Sequence, residues 1–223
     1  MKTKIITILA VAMMVTTMVL AQNADNNKTT KARGTSFLSL GPIGGFGHSW
    51  TSNMDNRFKP SAHLGIGMIY SRFEHWGWGT ELTASHEGYS TRLGSNGTTQ
   101  YISYDPTYLR MAPKAYYFFG RYGDNVRPKI YLGPSVAYKL VEDQYVDGPG
   151  STEVQYMNAG NEMLRDWDLG VDVGAGVNIR VAPYTWLNLD ADYYHGFLDV
   201  TRLNGLNNMN RSLRANVGVM IGI

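Results

Sequence analysis

Trp167-Asp168-Leu169-Gly170-Val171-Asp172-Val173-Gly174-Ala175-Gly176-Val177-Asn178-Ile179-Arg180-Val181 decides how the rest of the chain is read. Every odd position is apolar, and every even position is polar, charged or glycine. Successive side chains of a strand point to opposite faces, so a strict period of two describes a strand with one oily face and one wet face. Strands in soluble proteins run about five or six residues. A tilted strand crossing a bilayer needs roughly 9–11, and this stretch exceeds that. The pattern predicts one stave of a closed β-barrel in an outer membrane.

Working outward, the same alternation recurs. A short turn at Ala182-Pro183-Tyr184 leads to a strand with Leu187, Leu189, Ala191 and Tyr193 facing out and Asn188, Asp190, Asp192 and Tyr194 facing in. After a polar loop near Asn204 to Asn210, Leu213, Ala215, Val217, Val219, Ile221 and Ile223 oppose Arg214, Asn216, Gly218 and Met220. Upstream, Ile130, Leu132, Val136, Tyr138 and Leu140 oppose Lys129, Gly133, Ser135 and Lys139. Before them, Leu109, Met111, Ala115, Tyr117 and Phe119 oppose Tyr108, Arg110, Lys114 and Tyr116. Strands are also drawn around Trp78 to Ala84, around Ala62 to Tyr70 and, blurred by Gly41, Pro42, Gly44, Gly45 and Gly47, over Ser36 to Trp50. The expected fold is all-β: an eight-stranded antiparallel transmembrane β-barrel over residues 36–223 with both termini periplasmic. Connections alternate between short and long, as short periplasmic turns and longer outer loops do. The longest is Glu142 to Arg165, with a loop also expected at Leu93 to Thr99. Closure is required because hydrocarbon offers no partner to an open sheet edge.

Aromatic residues gather at strand ends, where amphipathic rings favour the interface. Tyr70, Trp76, Trp78, Tyr117, Phe119, Tyr184 and Trp186 are expected in a periplasmic girdle, and Trp50, Tyr104, Tyr138, Trp167 and Phe197 in an outer one. Pro113 and Pro134 lie inside strands, a place where proline is normally confined to edges and bulges. Their equal distance from the intervening turn predicts a bulge where they meet, with each nitrogen lacking its ladder bond.

The start of the chain, Met1-Lys2-Thr3-Lys4 followed by the apolar run Ile5 to Leu20, reads as a signal peptide over 1–21. Residues 22–35 are a polar periplasmic lead-in. Loss of Lys2 and Lys4 would bring 20 basic residues to 18, matching the 18 acidic ones. That balance gives no basic footprint for nucleic acid. With no cysteine, disulfide frameworks, thiolate metal sites and a lipid-bearing N-terminal Cys are excluded.

Several stretches resemble the PorT-like outer-membrane β-barrel proteins, the Bacteroidetes type of outer membrane protein β-barrel domain. They are Tyr108-Leu109-Arg110-Met111-Ala112-Pro113-Lys114-Ala115-Tyr116-Tyr117-Phe118 and Pro128-Lys129-Ile130-Tyr131-Leu132-Gly133-Pro134-Ser135-Val136-Ala137-Tyr138. Asp168-Leu169-Gly170, Gly174-Ala175-Gly176-Val177 and Tyr193-Tyr194-His195-Gly196-Phe197 continue the likeness. It spans most of the chain after the leader. The family tolerates proline at both strand positions, and it commonly has an acidic or neutral residue where Arg110 stands, so no charge-based role is carried over. The resemblance implies a barrel without a defined reaction, and one branch of the family is linked to an outer-membrane secretion system.

Eight strands enclose a space that side chains just fill. The inward set Glu81, Arg110, Lys114, Asp172, Arg180, Asp190, Asp192 and Arg214 mixes both signs, which predicts a structural ion-pair plug. Ser85-His86-Glu87 has the residue types of a catalytic trio, but alternation turns His86 away from both neighbours, whereas a working base must reach its nucleophile and its orienting acid. His48, His63, His75 and His195 show no metal-ligand spacing. The acidic residues Glu142, Asp143, Asp147 and Glu153 lack calcium-loop spacing. No catalytic, cofactor or metal residue is assigned. The expected role is non-enzymatic, structural or surface-interacting through Glu142 to Arg165, with membrane lipid as the surrounding partner. An accessory part in a secretion or assembly machine is the alternative, followed by a lipid-modifying enzyme.

Overall fold

In the computed structural model, alternation along each strand has closed the sheet on itself with its polar side inward. The structure describes residues 37–53, 58–95, 98–121, 124–148, 151–156, 164–202 and 207–223. The signal peptide at 1–21 and the lead-in at 22–35 lie outside them. Ten strands follow in order: β1 Leu38–Thr51, β2 Pro60–Tyr70, β3 Trp76–His86, β4 Tyr89–Ser95, β5 Thr98–Phe118, β6 Val126–Gly148, β7 Ser151–Tyr156, β8 Trp167–Ala182, β9 Thr185–Asp199 and β10 Met209–Gly222. Eight of them, β1, β2, β3, β5, β6, β8, β9 and β10, form a closed antiparallel barrel, with β1 pairing with β10 and β5 with β6.

β4 and β7 raise one end of the wall. β3 and β4 meet β5 in a single uninterrupted register, from Trp76↔Tyr117 through His86↔Thr107 to Tyr89↔Tyr104 and Ser95↔Thr98. The expected loop at Leu93 to Thr99 is therefore mostly strand, with only residues 96–97 between. Likewise, the front of the expected Glu142 to Arg165 loop is the rest of β6 and the hairpin partner β7, paired from Asp143↔Tyr156 to Gly148↔Ser151. These segments are short and interrupted by glycine and acidic residues, so they stand out less from loop sequence than the long crossing strands do.

The prolines meet as expected: Pro113 and Pro134 fall opposite each other, and the β5–β6 ladder lapses between Met111↔Val136 and Ala115↔Leu132. The expected bulge is not there. Register is the same on both sides of the gap, because removing two donors breaks hydrogen bonds without adding a residue. The bulge lies higher, where Thr107 pairs with Val141 and Tyr108 with Lys139, leaving Leu140 extra. At the gap the strands approach closely, since a Cβ on Gly133 would lie 1.9 Å from the Pro113 carbonyl oxygen. Glycine is required there.

The outer face is apolar and exposed: Leu109, Met111, Ile130, Leu132, Leu169, Val173, Leu189, Leu213 and Val217 are among its large side chains. Trp76 and Tyr117 meet edge-on at 5.2 Å at the short-turn end, and Tyr138 and Trp167 pair at 4.9 Å toward the other end. Two expected girdle residues are inside instead. Tyr104 is buried against Tyr89 and Leu164 at the long-loop end. Trp186 packs from within onto a plug at the short-turn end, made of Ile69, Tyr116, Phe118, Tyr131 and Met220 with Ile43.

Candidate functional site in the barrel lumen

The inward positions of six strands, β3, β5, β6, β8, β9 and β10, bring most of the expected charges together in three tiers. Nearest the long-loop end, Arg110 on β5 is 1 % exposed. Its Nη2 donates to Glu87 Oε1 and Oε2 at 2.8 and 3.1 Å and lies 3.5 Å from Asp168 Oδ2. Its Nη1 donates to Ser135 Oγ at 3.1 Å, and the guanidinium sits 4.0 Å from the centre of the Tyr194 ring. Asn210 Nδ2 ties the two carboxylates together, donating to Glu87 Oε2 at 2.6 Å and Asp168 Oδ2 at 3.2 Å.

In the middle tier, Arg214 Nε donates to Asp192 Oδ1 at 2.7 Å while its Nη2 donates to Asp172 Oδ1. Asn216 Nδ2 and Tyr131 OH donate to Asp192 Oδ2 at 2.8 and 3.3 Å. Below, Lys114 Nζ reaches Glu81 Oε2 at 2.5 Å and lies over the Tyr131 ring at 4.7 Å. Lys129 Nζ lies 3.1 Å from Asp190 Oδ1 and over the Tyr116 ring. A cavity of about 10 Å³ remains beside Glu81, Lys129, Asp190, His63 and Asn216, room for about one water molecule.

Glu87, Asp168 and Lys129 were not in the expected set, although each continues an inward alternation: 81, 83, 85, 87 on β3 and its extension, the even positions of β8, and the odd ones of β6. Arg180 is on the inward face as expected but meets no carboxylate among the described residues. It lies at the short-turn end, with its guanidinium 4.8 Å from the Trp186 ring centre. Arg127 does the same over Phe118 at 4.3 Å, so the short-turn end of the lumen is closed by cations on aromatic faces.

The catalytic trio is not assembled. Ser85 Oγ donates to Glu87 Oε1 at 2.8 Å inside the lumen, while His86 is on the outside with Nδ1 3.2 Å from Thr107 Oγ1. Among the described residues, no group of three or more His, Cys, Asp or Glu has the arrangement to hold a metal ion. At the long-loop end, Lys139 Nζ donates to Glu142 Oε2 at 2.8 Å and to the Leu164 carbonyl at 2.7 Å. Leu164 is fully buried, so the base of the long connection is drawn into the mouth of the barrel.

A profile of the outer membrane protein β-barrel domain matches residues 20–202. The chain belongs to that family. Like other members of the outer membrane β-barrel family, it resides in the outer membrane. No curated protein sequence matches the chain. Among solved structures it is similar to Neisserial surface protein A, at 17% identity and TM-score 0.47, covering 85% of this chain and 99% of that one. It is also similar to OprG of Pseudomonas aeruginosa, at 10% identity and TM-score 0.44, covering 85% and 97%. The attachment invasion locus protein Ail of Yersinia pestis matches at 13% identity and TM-score 0.39, covering 82% and 98%.

Proposed function

We propose that this protein is a non-enzymatic outer-membrane barrel that works by presenting a raised β-wall to a protein partner at its long-loop end. The observation that carries the reading is the length of the sheet: β5 and β6 run for 21 and 23 residues, about twice what a crossing strand requires. The excess stays hydrogen-bonded, and β4 and β7 widen it to four strands in the order β4-β5-β6-β7. A wall that continues past the membrane offers a fixed surface, and a lumen crowded with paired charge offers no path through the barrel. In this reading the long-loop end faces outward and both termini face the periplasm, as short periplasmic turns imply.

The test is deletion of Val146 to Asn161. Folding is read by heat-modifiable electrophoretic mobility, and partner binding by co-purification from detergent-solubilised outer membranes. The expected result is a folded barrel that has lost its partner. The narrower PorT-like assignment makes a different forecast: secretion of other proteins fails while surface binding is unchanged. A lipid-modifying enzyme would instead show an altered lipid profile that Ser85→Ala or His86→Ala abolishes.

A further inference from the structure

Among the described residues, the outer face of the barrel has one basic interruption. Among the described residues of the eight barrel strands, Arg211 is the only Lys or Arg that alternation directs outward. Its neighbours Asn210 and Ser212 are buried in the lumen, and Leu213 beyond them is 56 % exposed on the outside. Register places Arg211 between Trp50 on β1 and His195 on β9. One step toward the membrane centre, Leu213 lies between His48 and Tyr193.

The rings around this position form a continuous chain. His48 stacks on Phe58 at 4.9 Å and on Trp50 at 5.0 Å, and Trp50 lies 6.2 Å from Tyr193. Tyr193 lies 6.1 Å from His195, which meets Phe197 at 5.8 Å. Arg211 has no ion-pair partner among the described residues, and its Nε is shielded from solvent without an acceptor.

On the lipid side of a barrel a guanidinium is tolerated near the interface and not at the midplane, and aromatic belts mark the headgroup depth where membrane phosphate is found. The planar donor fork of arginine matches phosphate oxygens. A second copy of the chain would have to bring a carboxylate; among the described side chains of the barrel strands, those that alternation turns outward are Asp105, held by Lys59, Asp199, held by the Thr201 and Asn208 amides, and Asp143 in the raised wall. We propose that Arg211, framed by Trp50 and His195, docks the phosphate of a membrane lipid packed against the outer wall at the long-loop rim.

Native mass spectrometry of the full detergent-purified barrel tests this, with phosphatidic acid, diacylglycerol of the same chains, or lipid A added in turn. The wild type should retain the two phosphate-bearing lipids over diacylglycerol, and the stronger of the two identifies the natural class. Arg211→Gln should lower phosphate-lipid retention about fivefold, with Arg211→Lys intermediate. Heat-modifiable mobility verifies folding, and Arg211→Lys carries the comparison if the glutamine variant does not fold. Equal retention by wild type and variants, no preference over diacylglycerol, or displacement by inorganic phosphate alone would overturn the proposal. So would an Arg211-dependent dimer in lipid-free detergent.

Discussion

Replacing Arg110 with methionine keeps most of the side chain's length and removes only its charge and donors. The structure then leaves Glu87 and Asp168, 1 % and 0 % exposed, without their shared cation. Glu87 keeps the Ser85 hydroxyl and both acids keep the Asn210 amide, so two like-charged carboxylates remain with neutral donors but without their paired cation. Breaking a buried pair on one side costs about 3–5 kcal/mol. With a urea dependence of about 2 kcal/mol per molar, the unfolding midpoint should fall by roughly 2 M, read by tryptophan fluorescence in lipid vesicles. Adding Glu87→Gln and Asp168→Asn should restore most of the lost stability, because the amides remain bonded and no lone charge is left. If Arg110→Met lies within about 0.5 kcal/mol of wild type, the range of an ordinary surface change, then water reaches this tier and the filled-lumen description fails.

Three other perturbations probe separate parts of the wall. Gly133→Val should prevent folding or markedly lower the yield of heat-modifiable barrel, because its Cβ would strike the Pro113 carbonyl, whereas Pro113→Ala should fold normally. Leu132→Arg, outward and 56 % exposed, should cost about 2–4 kcal/mol in a bilayer if it lies at the midplane, measured by urea titration. Lys139→Met should free the base of the long connection from Glu142 and Leu164, seen as faster hydrogen exchange at the Leu164 and Arg165 amides with little change at Leu189.

Much of the barrel can be read from the chain because lipid imposes a rule on every residue it touches. Leu187 to Tyr194 alternate without exception, and their faces in the structure follow. Reading fails where the rule lapses. At the short-turn end, Ile69, Phe118 and Met220 are apolar yet point inward, since that end of the lumen is packed with oil and rings rather than ion pairs. Asp143 to Gly148 and Ser151 to Tyr156 pair as strands, but they are short and carry Asp, Glu, Gln and Gly, so their composition resembles a loop. Glu87 completes the Glu81-Thr83-Ser85 series, but Gly88 and the expected loop beyond obscured it. Asp168 and Lys129 lie on wet faces, and only closure of the barrel reveals which opposite charge each one meets.

The most direct measurement uses the absence of native cysteine. Single cysteines placed in turn from Leu187 to Tyr194 and spin-labelled in vesicles report contact with oxygen, which concentrates in lipid. The account predicts high oxygen accessibility at 187, 189, 191 and 193 and low accessibility at 188, 190, 192 and 194. A uniform profile, or high values at the even positions, would contradict it.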